Sequence, residues 1–460
     1  MTSMTAMTAM RKPAHKPWAA CLRLLLPLLP VFGLLLAACA NGSDGAGSAP
    51  KEVVIGIANK SAYASAYGDY LSAAFPDFKV TLVEMDPDYK NPLTDEQYER
   101  KLNEERPDLL LGYDIRYKRL AADGLLEDLS PRLIDDNLKE ADFYPGMIEK
   151  MRRDGDGGLY AVSPTFQASA LYYNADLFRK YGVPLPQDGM TMKDVFVLAA
   201  QFGKAGSAKD GVAGYHQPFS SMPHNLLFSL STRDGLRPYD FRTGKVTMDT
   251  TSWREIVETV AALYKNGTFT MQNVTGDTVD GEVWYGPEDV NEADLFKKGK
   301  SAMTIGGYNA MRGMPFELGM VTPPVSSSGN RSEDMGVYTY MAIPAGAEHS
   351  DTAWEMIRFM LGDYVAKVRS GLQEESELPT RKSYMQYDRN PLLPKLYEIL
   401  PGLGQSYSLE GYDPKFTTLF SELEDREIAA AVKGERSVDG VIAAIQKEGQ
   451  ALMDAAKPKK

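Results

Sequence analysis

Between residues 53 and 112 the sequence alternates short β-rich runs with segments of helical pattern. Val53–Ile57 and Lys79–Met85 are predicted to be strands because they are rich in β-branched residues. Pro107–Gly112 is a third apolar run, and a capping box at Thr94 predicts the helix that precedes it. This β-α-β-α-β order predicts a parallel sheet covered by helices, with ligands bound beyond the carboxyl ends of the strands.

The length and charge of the chain narrow the classes of function. With 460 residues it is long enough for two domains, since single cores stop growing at about 250–300 residues. The formal net charge of -12 argues against nucleic acid and anionic membrane surfaces as partners, because both are polyanions. Cys21 and Cys39 are the only cysteines, so the rest of the chain holds no disulfide and no thiolate metal site.

The first 38 residues have the pattern of a secretion signal. Basic residues lead into the apolar run Leu24–Leu36, which is too short to span a membrane as a mature helix. Small residues and then Cys39 follow, which resembles a bacterial lipoprotein box, so we expect cleavage before Cys39 and lipidation of its thiol. Residues 39–51 are predicted to form a flexible tether, because the segment is rich in glycine, alanine and small polar residues. We expect the protein at the extracytoplasmic face of the cell membrane, lipid-anchored; the alternative is an uncleaved anchor helix.

A strand followed at once by a very short helix is predicted near the middle of the chain. Ala168–Tyr173 is almost continuously apolar, which is typical of a buried strand. Asn174 supplies helix-start chemistry, and Gly182 with the prolines after it predicts the helix end. Other helices are predicted from a capping box at Thr191, within Ser220–Asp234, from a capping box at Ser252, over Ser350–Leu361 and over Val438–Met453.

Two motif-like segments stand out in the second and third quarters of the chain. Leu171–Pro186 contains Tyr-Tyr-Asn-x-Asp-Leu-Phe and then Gly-Val-Pro. This pattern resembles a signature of the family 1 extracellular solute-binding proteins of bacterial ABC importers. Asp294–Ala310 resembles its Phe-x-x-Gly-Lys-Ala-Ala-Met block, and we expect a helix, a turn at Gly299 and a strand at Ala302–Ile305. The other similar segments are Pro107–Asp114, Asp123–Pro131, Leu159–Gln167 and Gly371–Tyr384.

The resemblance implies an α/β protein with the type II fold of periplasmic binding proteins, in which two lobes joined by a hinge close on a ligand. It implies an N-lobe of residues 52–165 and about 336–382, and a C-lobe of residues 166–335 and about 383–456. The implied protein is not an enzyme: it captures a small solute, with a mono- or short oligosaccharide favoured, and delivers it to an ABC permease. It implies a monomer without a cofactor.

The positions of the motifs also imply which residues contact the ligand. Sugar recognition needs aromatic faces and planar polar side chains. The chain has 25 Tyr but only 4 Trp, and Trp253 and Trp354 occupy helical patterns that indicate packing, which argues against a long glycan. The candidates lie at strand ends, at the lobe crossover or in loops facing the cleft: Asn59, Ser61, Tyr63, Tyr113, Asp114, Phe166, Gln167, Met222, His224, Asn225, Trp284, Tyr308 and Asn309.

Three of these candidates have an alternative role that the sequence leaves open. Asp114 would also suit a helix N-cap, and His224 a polar position at a helix start. Trp284 lies between predicted elements, where burial within a loop would also explain it.

The sequence lacks the common motifs for metal binding, phosphate binding and nucleophilic catalysis. The four histidines show no metal-ligand spacing, and no phosphate-binding loop or nucleophile motif is present. Asp154–Gly158 resembles half of a calcium loop, but Thr165 stands where the bidentate glutamate is required, so we interpret it as a hairpin turn. Val274–Pro287 is acidic and predicts an exposed loop. A secreted glycan-active hydrolase and a surface protein for adhesion or signalling stay open as alternatives.

Overall fold

The structure is a computed structural model that describes most of the chain after residue 50. The described residues are 51–86, 93–113, 116–218, 222–266, 268–269, 277–279, 282–284, 286–327, 329–372, 377–403, 412–413 and 415–457. The predicted signal segment, Cys39 and Asp114 lie outside these ranges, as does all but the last residue of the predicted tether.

The described part of the chain contains both helices and strands throughout its length. The strands are β1 (Glu52–Ile57), β2 (Lys79–Glu84), β3 (Leu109–Tyr113), β4 (Thr165–Asn174), β5 (Tyr239–Asp240), β6 (Lys245–Val246), β7 (Asp277–Val279), β8 (Glu282–Trp284), β9 (Met303–Gly307), β10 (Leu318–Val321), β11 (Arg331–Ser332), β12 (Met335–Gly336), β13 (Thr339–Ala342), β14 (Glu377–Pro379) and β15 (Leu400–Pro401). The helices are α1 (Lys60–Tyr63), α2 (Asp69–Ala74), α3 (Asp95–Glu105), α4 (Tyr117–Ala122), α5 (Ser130–Asp135), α6 (Pro145–Asp154), α7 (Ala175–Tyr181), α8 (Met192–Lys204), α9 (Pro223–Arg233), α10 (Thr251–Lys265), α11 (Pro287–Ala293), α12 (Ser350–Met360), α13 (Asp363–Leu372), α14 (Leu393–Leu396), α15 (Lys415–Lys433) and α16 (Val438–Ala456).

The first sheet confirms the parallel arrangement predicted from the β-α-β-α-β order. Its strand order is β13-β3-β1-β2, and β1 pairs in parallel with both β2 and β3. The fourth strand, β13, runs antiparallel to β3, with Thr339 opposite Tyr113. The chain therefore returns to the first sheet more than 200 residues after leaving it.

The second sheet is built around the ten-residue strand β4. The first half of β4 pairs antiparallel with β12 and β14, and its second half pairs antiparallel with β9 and β10. Because it has neighbours along its whole length, β4 satisfies the backbone hydrogen-bonding groups that a free strand edge would expose.

Two hydrophobic clusters of buried side chains meet along β4. The first core contains the side chains of the first sheet and its helices, and it takes Phe166, Ala168 and Tyr172 from β4. The second core contains α8, α9, α10, α15 and α16, and it takes Leu171 from β4. Successive side chains of a strand point to opposite faces, so one strand supplies both cores.

Several of the predicted local signals are confirmed. Thr94 and Thr191 each form the predicted capping box, with Gln97 and Asp194 as partners. Asn174 Oδ1 accepts hydrogen bonds from the first-turn amides of α7. Gly182 ends α7 with a φ of +66°, a left-handed conformation that glycine adopts without a steric penalty.

Four local predictions are wrong. The N-cap of α10 is Thr250 rather than Ser252, because the Thr250 hydroxyl accepts from the Trp253 amide. Asp154 is the last residue of α6 rather than the start of a hairpin, and it pairs with Lys150. Residues 295–299 form a turn after α11 rather than a helix. Part of the segment predicted as an acidic loop forms the antiparallel pair β7 and β8, and Pro287 begins α11.

Candidate ligand-binding site

Phe166 and Gln167 lie on the first half of β4, and their side chains have opposite environments. Phe166 is 1% exposed and stacks on Tyr144 with ring centroids 3.9 Å apart, while Tyr397 meets it edge-on at 5.0 Å. Gln167 is exposed, and its backbone pairs with Gly336 of β12 and Glu377 of β14. In this conformation Gln167 is therefore the member of the pair that a solute can reach.

Tyr308 and Asn309 follow β9 and lie next to the same part of β4. The Tyr308 amide donates to the Ala168 carbonyl over 2.9 Å. The Tyr308 side chain is buried, and its hydroxyl donates to Asp388 Oδ2 over 3.2 Å. Burial, reinforced by the Asp388 carboxylate, raises the pKa of the Tyr308 hydroxyl, so it stays a neutral donor at physiological pH.

The Asn309 amide is held by a neighbouring cation. Arg312 donates to Asn309 Oδ1 from Nε over 3.0 Å and from Nη2 over 2.6 Å. Asn309 is buried in this conformation, and its carbonyl oxygen is oriented by a charged donor. Of the candidates, the structure brings Phe166, Gln167, Tyr308 and Asn309 together at β4.

Met222, His224 and Asn225 form a second group at the start of α9. Met222 is exposed and immediately precedes Pro223, the first residue of the helix. His224 donates its backbone amide to Asp425 Oδ1 over 2.8 Å, and its Nδ1 lies 2.6 Å from Asp425 Oδ2. Asp425 of α15 therefore fixes the direction of the His224 ring, while Asn225 is half-buried.

Asn59, Ser61 and Tyr63 form a third group after β1. Asn59 Oδ1 caps α1 by accepting from the Ala62 amide over 2.8 Å. Ser61 is exposed, and Tyr63 is half-buried with a pKa raised by that burial. A π-helical turn, Ala64–Gly68, continues directly from α1.

Of the three remaining candidates, the structure locates Tyr113 and Trp284 by their backbone pairing. Tyr113 is the last residue of β3 and pairs with Thr339, and Trp284 is the last residue of β8 and pairs with Asp277. Asp114 lies outside the described residues. For all thirteen candidates, contact with a ligand stays a prediction.

The described residues contain neither a candidate metal site nor a candidate membrane span. Among the described residues, no group of three or more His, Cys, Asp and Glu side chains could hold a metal ion. None of the helices from α1 to α16 combines the length and the apolar character needed to cross a membrane.

The sequence profile of the bacterial extracellular solute-binding proteins matches residues 58–367, which is more than half of the chain. The chain belongs to this family. Its members bind solutes and are not enzymes, which confirms the prediction of a binding protein. No curated protein sequence matches the chain.

Solved structures show that this solute-binding protein has the type II periplasmic-binding-protein-like fold, as predicted. A family 1 extracellular solute-binding protein from Alicyclobacillus acidocaldarius is 15% identical, with a TM-score of 0.60 over 87% of this chain and 98% of that one. The sugar-binding protein MalE from Xanthomonas citri is 15% identical, with a TM-score of 0.55 over 88% and 98% of the two chains. A cyclic maltosyl-maltose binding protein from Arthrobacter globiformis is 17% identical, with a TM-score of 0.55 over 88% and 100%.

Sequence reasoning missed the partners that orient the candidate side chains of this solute-binding protein. Asp388 accepts from the hydroxyls of both Tyr308 and Tyr384, and Asp425 holds His224. These partners lie 80 and 201 positions from the residues that they orient. No local motif marks such pairs, because the fold alone brings them together.

Proposed function

We propose that the protein is the substrate-binding component of an ABC importer and that it captures a small sugar between its two cores. The observation that carries the proposal is β4, a single strand that supplies both cores and carries the exposed Gln167. A strand shared by two bodies lets them rotate about it without breaking either core, as hinge closure requires.

Proteins of the same fold support a sugar as the solute. The Arthrobacter globiformis protein binds cyclic α-maltosyl-1,6-maltose, and a Thermotoga maritima protein, 19% identical with a TM-score of 0.52, was solved with maltose bound. A Listeria monocytogenes substrate-binding protein, with a TM-score of 0.51, was solved with cycloalternan. These three proteins of the same fold each bind a sugar, which supports a sugar as the solute here.

The aromatic side chains favour a mono- or short oligosaccharide over a long glycan. Trp253 is 1% exposed within the second core, and Trp354 donates its indole N–H to Asp136 over 2.5 Å. Both side chains therefore serve packing, and neither offers a free face to a sugar ring. A long glycan needs several such faces in a row.

We propose the lobe boundaries that the family resemblance implies. Residues 52–165 and about 336–382 form the N-lobe, and residues 166–335 and about 383–456 form the C-lobe. The first core extends further, since Leu392, Leu396 and Ile399 belong to it. The closed form, with the sugar between the lobes, would dock onto the two membrane subunits of the permease as a monomer.

A thermal-shift screen tests the binding proposal. The whole protein is heated with single mono- and oligosaccharides, and with amino acids as matched small-molecule controls. A sugar at 100 times its Kd adds about 2.7 kcal/mol to the free energy of unfolding, because it binds only the folded state. We expect one class of sugar to raise the melting temperature and to be recovered unchanged. No shift with any sugar would refute the carbohydrate proposal.

We also propose that Cys39 is lipidated, which places the protein at the outer face of the cell membrane. In a bacterial host supplied with labelled palmitate, the wild-type chain should acquire the label and fractionate with membranes. The Cys39→Ala variant should be unlabelled, while Cys21→Ala, within the cleaved segment, should behave as wild type. Labelled Cys39→Ala protein would contradict the proposal.

A further inference from the structure

Arg233, the last residue of α9, is a buried cation whose hydrogen-bonding capacity is only partly used. Its side chain is 9% exposed, and Nη2 contacts the Asp334 carboxylate at 2.9 Å and 3.2 Å. Its Nε and Nη1 are buried and have no hydrogen-bond partner among the described residues. The guanidinium therefore offers donors on the sides that Asp334 does not occupy.

Buried donors of this kind need a partner. A guanidinium carries five N–H donors in a rigid plane and a permanent positive charge, and leaving them unpaired away from water is unfavourable. Most buried polar groups are paired, so those that are not call for an explanation in terms of a ligand or a bound water. The two free nitrogens of Arg233 are thus candidates for ligand contacts.

The groups around Arg233 are hydrogen-bond acceptors or side chains that can both donate and accept. Glu333 is half-buried with a pKa raised by burial, and a Cβ at Gly402 would overlap its carboxyl group. The buried Tyr215 donates its hydroxyl to Gln217 Oε1 over 2.6 Å, and it lies close enough to feel the charges of both Asp334 and Arg233.

The balance of charge decides what kind of ligand these groups fit. Arg233 is already neutralised by Asp334, and Glu333 is a second carboxyl group beside them. An anionic ligand would bring a further negative charge to a site in which Arg233 is the cation and Asp334 already neutralises it. A neutral hydroxyl group instead can accept from Arg233 while its own proton is donated to a carboxylate.

The position of the pair connects it with β4. Asp334 immediately precedes β12, whose Met335 and Gly336 pair with Ala168 and Gln167 of β4. Arg233 ends α9, a helix of the second core. The pair thus joins the second core to the strand that serves both cores.

We propose that Arg233 and Asp334 form a recognition site for a neutral polyhydroxylated group of the solute, with Arg233 Nε and Nη1 donating to its oxygens. The inference rests on the proposed sugar-binding function. It adds Arg233 and Asp334 to the residues that contact the sugar, and it adds a preference of the protein for uncharged sugars over uronic acids. Glu333 is the neighbouring group that completes the hydrogen-bonding of the hydroxyls.

The test measures the sugar affinity of the whole protein by calorimetric titration. The probes are the neutral sugars glucose, maltose and maltotriose, with glucuronic acid as the charged counterpart of glucose. The variants are Arg233→Gln and Asp334→Asn, and the matched control is Arg254→Gln, which removes an arginine of α10 that pairs with Asp249 and Asp439.

We expect the wild type to bind at least one neutral sugar, and Arg233→Gln to bind it roughly 10- to 100-fold more weakly, as expected for lost hydrogen bonds to a charged group. Arg254→Gln should bind as wild type. If Arg233→Gln does not fold, the double variant Arg233→Met/Asp334→Leu, which buries no charge, serves instead and should bind as weakly.

The outcomes separate this inference from the proposed function. Unchanged affinity in a folded Arg233 variant would overturn the inference and leave the sugar-binding function standing. A wild-type preference for glucuronic acid over the neutral sugars would overturn the charge argument. A wild-type protein that binds none of the four sugars would overturn the inference, whereas the sugar-binding function is overturned only if no sugar in the thermal-shift screen binds.

Discussion

Replacing Phe166 by alanine separates a packing role from direct ligand contact. The side chain is 1% exposed, stacks on Tyr144 at 3.9 Å and meets Tyr397 edge-on at 5.0 Å. Buried Phe→Ala changes lower the free energy of unfolding by about 3–5 kcal/mol. Since each aromatic pair adds about 0.5–1.5 kcal/mol beyond the buried area, we expect the upper part of that range for Phe166→Ala.

Urea unfolding followed by circular dichroism measures this loss. With a denaturant slope of about 3 kcal/mol/M, a loss of 3–5 kcal/mol lowers the midpoint of unfolding by roughly 1–1.7 M. Gln167→Ala is the matched control, because Gln167 is the exposed neighbour on the same strand. Its change in the free energy of unfolding should stay within about 0.5 kcal/mol. A loss below about 1 kcal/mol for Phe166→Ala would refute the packing account of that ring.

Further predictions concern pH, helix capping and backbone conformation. Burial lowers the pKa of His216, whose Nε2–H donates to the Ala293 carbonyl over 2.8 Å. Its stabilising effect is therefore complete above the unfolded value of about 6.5 and is lost as the pH falls below it. His216→Gln should flatten the decline of the melting temperature between pH 7 and pH 5, and an unchanged decline would contradict this. Thr191→Ala removes the α8 cap and should lower the free energy of unfolding by about 1 kcal/mol, whereas wild-type stability would show that the capping box contributes nothing. Gly182→Ala, at a φ of +66°, should lower it by about 1 kcal/mol, and a stabilised variant would argue against the left-handed C-cap.

The sequence predicts best those features whose causes lie within a few residues. The Thr94 and Thr191 caps, the Asn174 helix start and the Gly182 helix end each depend on one side chain and the adjacent backbone. The parallel first sheet follows from an alternation of strand and helix patterns, which constrains how the chain can connect.

The wrong local predictions arise where two nearby residues could play the same role. Thr250 and Ser252 both carry a hydroxyl that can cap a helix, and the structure uses Thr250, whose oxygen lies 3.3 Å from the Trp253 amide. The Asp-Gly sequence after Asp154 suits both a hairpin and a helix end. In the structure this segment is a helix end, because α6 continues to Asp154 and Lys150 pairs with Asp154 within the helix.

The candidate site is predicted only in part because its side chains are oriented by distant residues. Family motifs point to Tyr308 and His224, but the partners Asp388 and Asp425 become visible only in the folded chain. The Arg233–Asp334 pair spans 101 positions and carries no motif. Burial also decides which candidate side chains are exposed to a ligand. Because successive side chains of β4 point to opposite faces, Phe166 lies in the first core and Gln167 is exposed.

Small-angle X-ray scattering of the whole protein, with and without the sugar that raises its melting temperature, tests the central claim most directly. If the two cores close on the solute about β4, saturation with that sugar must decrease the radius of gyration, while a sugar that does not bind leaves it unchanged. A radius of gyration that stays constant at saturation, with binding confirmed in the same sample, would contradict capture by closure.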